Sequence, residues 1–191
     1  MSNEVLTYDE GQLALQIARE NIESILNGHE YLCDKQLPEI FHEKLGVFVT
    51  LNKNNNLRGC IGYPEPYESL IDGLLDVSLS AAFDDPRFNP VSKNEFDDIS
   101  IEISVLTKPE LIEVNTYEEY LDKICIGIDG LIIENGYHRG LFLPQVATEQ
   151  KWNIDEYLEN ICYKAGLPNQ SWKLESTNLY KFQAQIISEQ E

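Results

Sequence analysis

The chain has 191 residues, of which 42% are hydrophobic and 25% are charged, and its formal net charge is −19. This composition is typical of a globular protein, and the length is sufficient for one well-buried domain or for one domain with a smaller lobe. Because phosphate attraction dominates non-specific nucleic-acid binding, the acidic balance argues against nucleic acid and against anionic membranes as partners. No apolar run reaches membrane-spanning length and the N-terminus lacks a signal-peptide pattern, so we expect a cytoplasmic protein.

The first part of the chain predicts a helix, a β-hairpin and a second helix. The capping-box pattern at Thr7–Glu10 begins a helix that ends at Asn27-Gly28. Two short β-branched and apolar runs, 46–51 and 57–61, flank a polar asparagine turn and therefore predict a hairpin. Apolar residues at helical spacing then predict a helix over 67–83.

The remaining elements are predicted from alternation in strands and from capping and turn residues at element ends. They are a strand over 99–106, a short helix from 116 to about 124, strands over 126–134 and 139–143 joined at Asn135-Gly136, a helix from 153 to 165, and a final strand over 174–187. Strands and helices mix without a regular βαβ rhythm. The sequence therefore predicts an α+β (mixed α/β) fold, with an antiparallel or mixed sheet flanked by helices.

Four cysteines occur, and their spacings match no zinc signature, so no metal site is predicted. Cys33, Cys125 and Cys162 are interpreted as small buried residues, the usual environment of a free cysteine. Cys60 differs because it lies in the hexapeptide 57–62, directly after Gly59 and two residues before Gly62. Glycines there permit positive φ or the close approach of another group.

Two interpretations of Cys60 remain open. In the first, Cys60 is a nucleophile, a thiolate ligand or the carrier of a covalent intermediate, with Arg58 favouring the thiolate or holding an anion. His138 is then the best-placed base among the three histidines, and Gln145 would orient the substrate or donate to an oxyanion. In the second, Cys60 is a small buried residue that packs between glycines.

Three of the four arginines, Arg58, Arg87 and Arg139, fall in segments of unusual chemistry at 58–62, 84–88 and 138–149. If these guanidinium groups converge, they form a pocket for a small anionic ligand. The alternative is that each arginine pairs with a nearby acid. The acids considered are Asp84, Asp85, Glu102 and Glu149.

The chain resembles the AMMECR family, whose prokaryotic members are labelled AmmeMemoRadiSam system protein A. The similarity extends from about residue 48 to residue 185, and its motifs appear intact. They are LRGCIG at 57–62, D-x-R-F at 85–88, E-x-S-x-L at 102–106, G-x-x-G-L-I-I-E at 127–134, L-P-Q-V-A-x-E at 143–149 and C-x-K-A-G-L at 162–167.

The resemblance implies one AMMECR-type domain over residues 7–187, with a larger and a smaller lobe, a cleft near the signature hexapeptide, and flexible termini at 1–6 and 188–191. The family label also implies a functional link to Memo-like and radical S-adenosylmethionine proteins. That link suggests a role in a modification or biosynthetic pathway, by association and not by chemistry.

Two hypotheses about function follow. In the first, the chain is a catalytic or substrate-handling component in which Cys60 reacts, Arg58 and Arg87 hold an anionic substrate, and His138 or Glu149 moves protons. The residues expected to complete the binding site are Gly59, Gly62, Asp85, Arg139 and Gln145. In the second, the hexapeptide is structural and the cleft binds a ligand or a partner peptide without catalysis. No cofactor is predicted in either case.

Overall fold

The computed structural model describes residues 4–65 and 67–189. The chain divides into two compact units, here called the first unit (residues 1–107 and 185–191) and the second unit (residues 108–184). Both units combine helices with an antiparallel four-stranded sheet, which confirms the predicted α+β class. Within the described part of the chain, no helix combines the length and the apolar character needed to cross a membrane.

The elements are numbered here in chain order. The helices are α1 (Tyr8–Leu26), α2 (Leu70–Leu79), α3 (Lys93–Phe96), α4 (Tyr120–Lys123), α5 (Pro144–Glu149) and α6 (Ile154–Lys164). The strands are β1 (Val47–Lys53), β2 (Asn56–Tyr63), β3 (Ile99–Leu106), β4 (Glu110–Leu111), β5 (Gly130–Asn135), β6 (His138–Phe142), β7 (Asn178–Phe182) and β8 (Ala184–Ser188).

The first unit is built on a sheet with the strand order β2-β1-β3-β8. Alternate residues of β1 and β3 are buried on one face, where α1 and α2 pack, and the opposite face is only half-buried. The predicted capping box of α1 is present, because Thr7 and Glu10 exchange hydrogen bonds at the helix start. The predicted hairpin is confirmed, and its turn places Asn54 and Asn55 at φ 50° and 59°.

The second unit has a sheet with the strand order β4-β7-β5-β6. Strand β5 is central and buried on both faces over its first four residues, as its continuous apolar sequence requires. Helix α6 starts at the predicted cap, where Asn153 and Glu156 form a capping box. It buries Tyr157, Ile161 and Cys162 against the sheet core, as expected for Cys162.

Two predicted strands differ in the structure. Residues 126–129 form a turn instead of the start of β5, because Gly127 adopts a φ of 80° and the buried Asp129 carboxylate accepts the Cys125 backbone N–H. This turn leaves Cys125 exposed, so its predicted burial is wrong. The predicted strand over 174–187 is divided into β7 and β8, which belong to different sheets.

Helix α2 is shorter than predicted. It begins after the N-cap Ser69, ends at Leu79, and continues as one π-helical turn over Ser80–Asp84. The 138–149 segment has regular secondary structure, since its first residues form β6 and its last residues form α5. Pro144 is the first residue of α5, a position where proline is favoured.

The predicted flexible termini at 1–6 and 188–191 lie partly outside the described residues, namely at 1–3 and 190–191. The described remainder is held by contacts of the first unit. Leu6 is fully buried, its backbone N–H donates to the Gln185 side chain, and the Glu189 carboxylate pairs with Arg19.

Candidate functional site

Cys60 lies on β2, the edge strand of the first sheet, where it is opposite Thr50 of β1. Its side chain is half-buried, and the Thr50 hydroxyl donates a hydrogen bond to Sγ over 3.2 Å. The sulfur therefore occupies a fixed position on the half-buried face of the sheet.

The outer edge of β2 is closed at Cys60 by the loop that follows the π-helical turn. The Cys60 N–H donates to Asp85 Oδ2 over 2.9 Å, and the Cys60 carbonyl accepts from Arg87 Nη2 over 3.1 Å. On the outer side of an edge strand, backbone N–H and carbonyl groups normally hydrogen-bond to water or to another chain. Here two side chains of one loop take the place of a neighbouring strand.

Asp85 is the buried centre of this arrangement. Only 4% of the residue is exposed, and besides the Cys60 N–H its carboxylate accepts the Arg87 backbone N–H at 3.0 Å, Nε at 3.0 Å and Nη2 at 2.8 Å. The Arg87 side chain is the main reason that the pKa of Asp85 lies well below its usual range, and the Cys60 N–H contributes. Asp85 is therefore an anion in a pre-formed fork with Arg87.

The Arg87 side chain is 53% exposed although it is bound to a buried carboxylate. Its pKa is raised chiefly by the hydrogen bonds to Asp85, with a smaller contribution from Cys60. Arg87 thus contacts both the buried Asp85 carboxylate and the Cys60 carbonyl oxygen, while about half of its side chain is exposed to solvent.

Arg58 lies two residues before Cys60 and binds Glu95 of α3, with Nη2 to Oε1 at 2.9 Å. Its Nη1 is buried and has no hydrogen-bond partner among the described residues. The guanidinium carbons of Arg58 and Arg87 lie 5.9 Å and 5.5 Å from the centre of the Phe88 ring. Two of the three predicted arginines therefore come together beside Cys60.

Glu95 is the counter-ion of Arg58 and also accepts from Lys53 Nζ and from the Ser92 N–H. The pKa of Glu95 is lowered to about 2. The hydrogen bond from Arg58 is the main cause, and the hydrogen bond from the Ser92 N–H is the next. A carboxyl group with a lowered pKa stabilises the fold above its unfolded pKa, and this contribution is lost as the pH falls through the folded pKa.

We expect Glu95→Gln to lower the free energy of unfolding at pH 7 by about 2 kcal/mol, because charge-assisted hydrogen bonds are lost. The difference from the unmodified protein should shrink between about pH 4.5 and pH 2, where Glu95 becomes protonated. Urea unfolding at several pH values measures this. Asp98→Asn, at an exposed neighbouring acid, is the control. A pH-independent loss in Glu95→Gln would contradict the assignment.

Gly59 and Gly62 do not adopt a positive φ. Glycine is needed at both positions because neighbouring groups approach the backbone too closely for a side chain. A Cβ on Gly59 would lie 2.1 Å from the Ala81 carbonyl oxygen in the π-helical turn. A Cβ on Gly62 would lie 2.2 Å from the Phe48 ring. The two glycines let β2 lie against its neighbours and so help to position Cys60.

The other four predicted site residues belong to the second unit. His138 Nδ1 lies 3.0 Å from the Ala165 carbonyl oxygen, and Arg139 forms an ion pair with Glu134 across the β5–β6 pair. Gln145 and Glu149 are exposed on α5. The structure thus brings six of the predicted residues together in the first unit and places these four in the second.

All three arginines form ion pairs with acids of this chain, which was the alternative to an anion-binding pocket. Arg87 binds Asp85, one of the acids considered from the sequence, whereas Arg58 and Arg139 bind Glu95 and Glu134, which were not. Thr50 could be predicted from the sequence as the cross-strand neighbour of Cys60 in the hairpin. Glu95 carries no such signal, because it is 37 residues from Arg58 in sequence. Among the described residues, no group of three or more His, Cys, Asp or Glu side chains is placed to hold a metal ion.

Comparison with known proteins gives a consistent result. The AMMECR1 family model matches residues 15–187. A protein of Methanococcus aeolicus is 53% identical over 97% of this chain and 94% of its own length, and one of Methanothermobacter thermautotrophicus is 52% identical over 96% of each. The crystal structure of the uncharacterized protein PH0010 from Pyrococcus horikoshii has a TM-score of 0.79 at 44% identity, covering 98% of this chain and 95% of that one. The chain therefore belongs to the AMMECR1 family.

Proposed function

We propose that this AMMECR1 protein is a catalytic or substrate-handling component in which Cys60 is the reacting group. One observation carries the proposal: both backbone polar groups of Cys60 are held by the Asp85–Arg87 pair, while its sulfur stays half-buried. A reacting atom needs this kind of positioning on a rigid element.

The neighbouring arginines support an anionic substrate. The Arg87 side chain is half exposed beside Cys60, and the Arg58 guanidinium group lies against the same Phe88 ring. Both guanidinium groups keep their positive charge while bound to carboxylates, and planar forks of this type bind carboxylate or phosphate oxygens. A small anion near Cys60 would therefore meet donors that are already oriented.

We extend the proposal to a modification or biosynthetic pathway, with Memo-like and radical S-adenosylmethionine proteins as the expected partners. The support is the family resemblance of the motifs, not the chemistry of the site. In this proposal the expected cleft near the hexapeptide receives the substrate, and His138 or Glu149 moves protons. Arg139 and Gln145 remain expected binding residues.

Alkylation of native protein by iodoacetamide, followed residue by residue with mass spectrometry, tests the role of Cys60. We expect Cys60 to react at least as fast as Cys125 although Cys125 is more exposed, and to be slowed by inorganic phosphate or acetate. Buried Cys162 should react only after unfolding and serves as the control for integrity. Labelling of Cys60 only on unfolding would overturn the proposal.

A non-catalytic binding module is the second candidate. The observation that favours it is that both guanidinium groups already bind carboxylates of this chain. Stabilising β2 would then be a full explanation for Arg58 and Arg87, without a bound substrate. Cys60→Ser distinguishes the candidates in a strain chosen because deletion of its own AMMECR1 gene slows growth. Failure to restore growth, with unchanged thermal stability and partner capture, supports the reacting role. Full restoration by Cys60→Ser supports the binding module.

A further inference from the structure

Thr50 lies directly opposite Cys60 in the first sheet, and its hydroxyl oxygen is 3.2 Å from the Cys60 sulfur. The Thr50 side chain occupies the half-buried face of β1, because its neighbours Val49 and Leu51 fill the buried face. Valine has nearly the same shape and is equally suited to a strand. Strand formation alone therefore does not require a hydroxyl group at this position.

Thr50 also separates Cys60 from a carboxylate. In the register of the sheet, Cys60 of β2, Thr50 of β1 and Glu102 of β3 lie opposite one another in a single row. Side chains in such a row share one face, and the Cβ atoms of direct neighbours are about 5 Å apart. The Glu102 carboxylate accepts the Ser188 hydroxyl of β8 at 3.0 Å. The Thr50 hydroxyl is thus directed to the sulfur and not to the carboxylate on its other side.

The charged groups around Cys60 leave little net positive charge to hold a thiolate. The neighbouring cations are already paired with carboxylates of this chain. The paired groups are Arg58 and Lys53 with Glu95, and Arg87 with Asp85. Within the described part of the chain, Glu102 has no cation at ion-pair distance, so its charge disfavours a second anion nearby. A hydrogen bond donated directly to the sulfur is therefore an important means of stabilising the thiolate.

We propose that Thr50 is a positioning residue for the reaction of Cys60, and that its hydroxyl donates to the thiolate and holds the sulfur in place. This inference rests on the proposed function, since it takes Cys60 as the reacting group. The thiolate is the nucleophilic form, and a donor to the charged form increases its population. The same donor lowers the nucleophilicity of each thiolate, because nucleophilicity falls as a thiol becomes more acidic. These two effects have opposite signs, which gives a distinctive dependence on pH.

Alkylation of Thr50→Val by iodoacetamide over a range of pH values tests the proposal, with the full chain and residue-resolved mass spectrometry. We expect the midpoint for Cys60 to rise by about one pH unit, because a hydrogen bond to a charged group is lost. Below both midpoints the variant should react about threefold more slowly, and above both about threefold faster. A merely loosened strand would change the rate in one direction at every pH, so crossing curves are specific to a lost donor.

Three further variants make the test independent of a single substitution. Thr50→Ala also lacks the hydroxyl and should show the same crossing, whereas Thr50→Ser keeps the hydroxyl and should restore the unmodified curve. Ser104→Ala removes a hydroxyl from the same face of β3, opposite Phe48, and should leave the curve unchanged. Exposed Cys125 is the internal rate standard.

The outcomes separate this inference from the proposed function. If Cys60 reacts in the native protein but Thr50→Val gives the unmodified curve, or if Thr50→Ser shares the shift, Thr50 has no such role and the reacting role of Cys60 stands. Labelling of Cys60 only on unfolding overturns both.

Discussion

Asp85→Asn is expected to lower the free energy of unfolding at pH 7 by about 3 kcal/mol, because the charge of a buried carboxylate is lost and its hydrogen-bond donors are left unsatisfied. The carboxylate accepts four hydrogen bonds, from three nitrogens of Arg87 and from the Cys60 N–H. An asparagine side chain keeps the size but has no charge, and it presents only one acceptor oxygen. Urea unfolding followed by circular dichroism measures the loss.

The matched control is Asp84→Asn, at the exposed acid next to Asp85 in the chain. It makes the same chemical change without the buried contacts, so its effect should stay within about 0.5 kcal/mol. In Asp85→Asn we also expect faster alkylation of Cys60, because the edge of β2 is no longer closed. Equal stability of the two variants would show that Asp85 does not hold this loop.

The same carboxyl group predicts a pH dependence. The folded pKa of Asp85 is lowered, so its contribution is full above the unfolded value of about 3.9 and is lost as the pH falls through the folded pKa. The unmodified protein should therefore lose stability more steeply with falling pH than Asp85→Asn below about pH 4. Parallel stability curves for the two proteins would contradict this assignment.

Gly59→Ala is expected to be the most damaging substitution in the hexapeptide, with a loss of about 3 kcal/mol or more. Its Cβ would lie 2.1 Å from the Ala81 carbonyl oxygen and 3.2 Å from the Ala81 carbonyl carbon. Both atoms belong to backbone, so no side-chain rotation relieves the overlap. The strand or the π-helical turn must move, and the position of Cys60 changes with it. Thermal unfolding and Cys60 alkylation report the two effects.

Gly73→Ala is the control for this substitution. Gly73 lies inside α2, and its Cβ would meet only the Val47 side chain, at 3.1 Å. Alanine is favoured over glycine within a helix by about 1 kcal/mol, which offsets a small displacement of Val47. We expect a net change of less than about 1 kcal/mol. A Gly59→Ala variant as stable as Gly73→Ala would contradict the close approach of β2 to the turn.

Local sequence signals predicted most of the elements. The capping boxes at Thr7 and Asn153 and the alternation over 99–106 correspond to observed elements because their hydrogen bonds and faces involve near neighbours in the chain. One strand was predicted too long because a turn signal within the same segment overrides the alternation. Residues 126–129 alternate Ile126 and Ile128 with Gly127 and Asp129, as a strand would, but Asp129 accepts the Cys125 N–H and the resulting turn removes them from the sheet.

The candidate site shows the same division. The hexapeptide, Asp85 and Arg87 could be singled out because glycines and arginines flank an unusual cysteine. Their shared position could not, because 25 residues separate Cys60 from Asp85 and 37 separate Arg58 from Glu95. The role of the glycines also needed the structure, since only the approach of Ala81 and Phe48 shows why no side chain fits.

The sequence by itself determined the fold class, the hairpin that carries Cys60, the capped helices and the family resemblance, because periodicity, caps and turns act over a few residues. The tertiary structure decided which acid each arginine binds, which strands share a sheet, and that the buried Asp85 closes the edge of β2. These are contacts between segments distant in the chain, and packing of the whole core selects them.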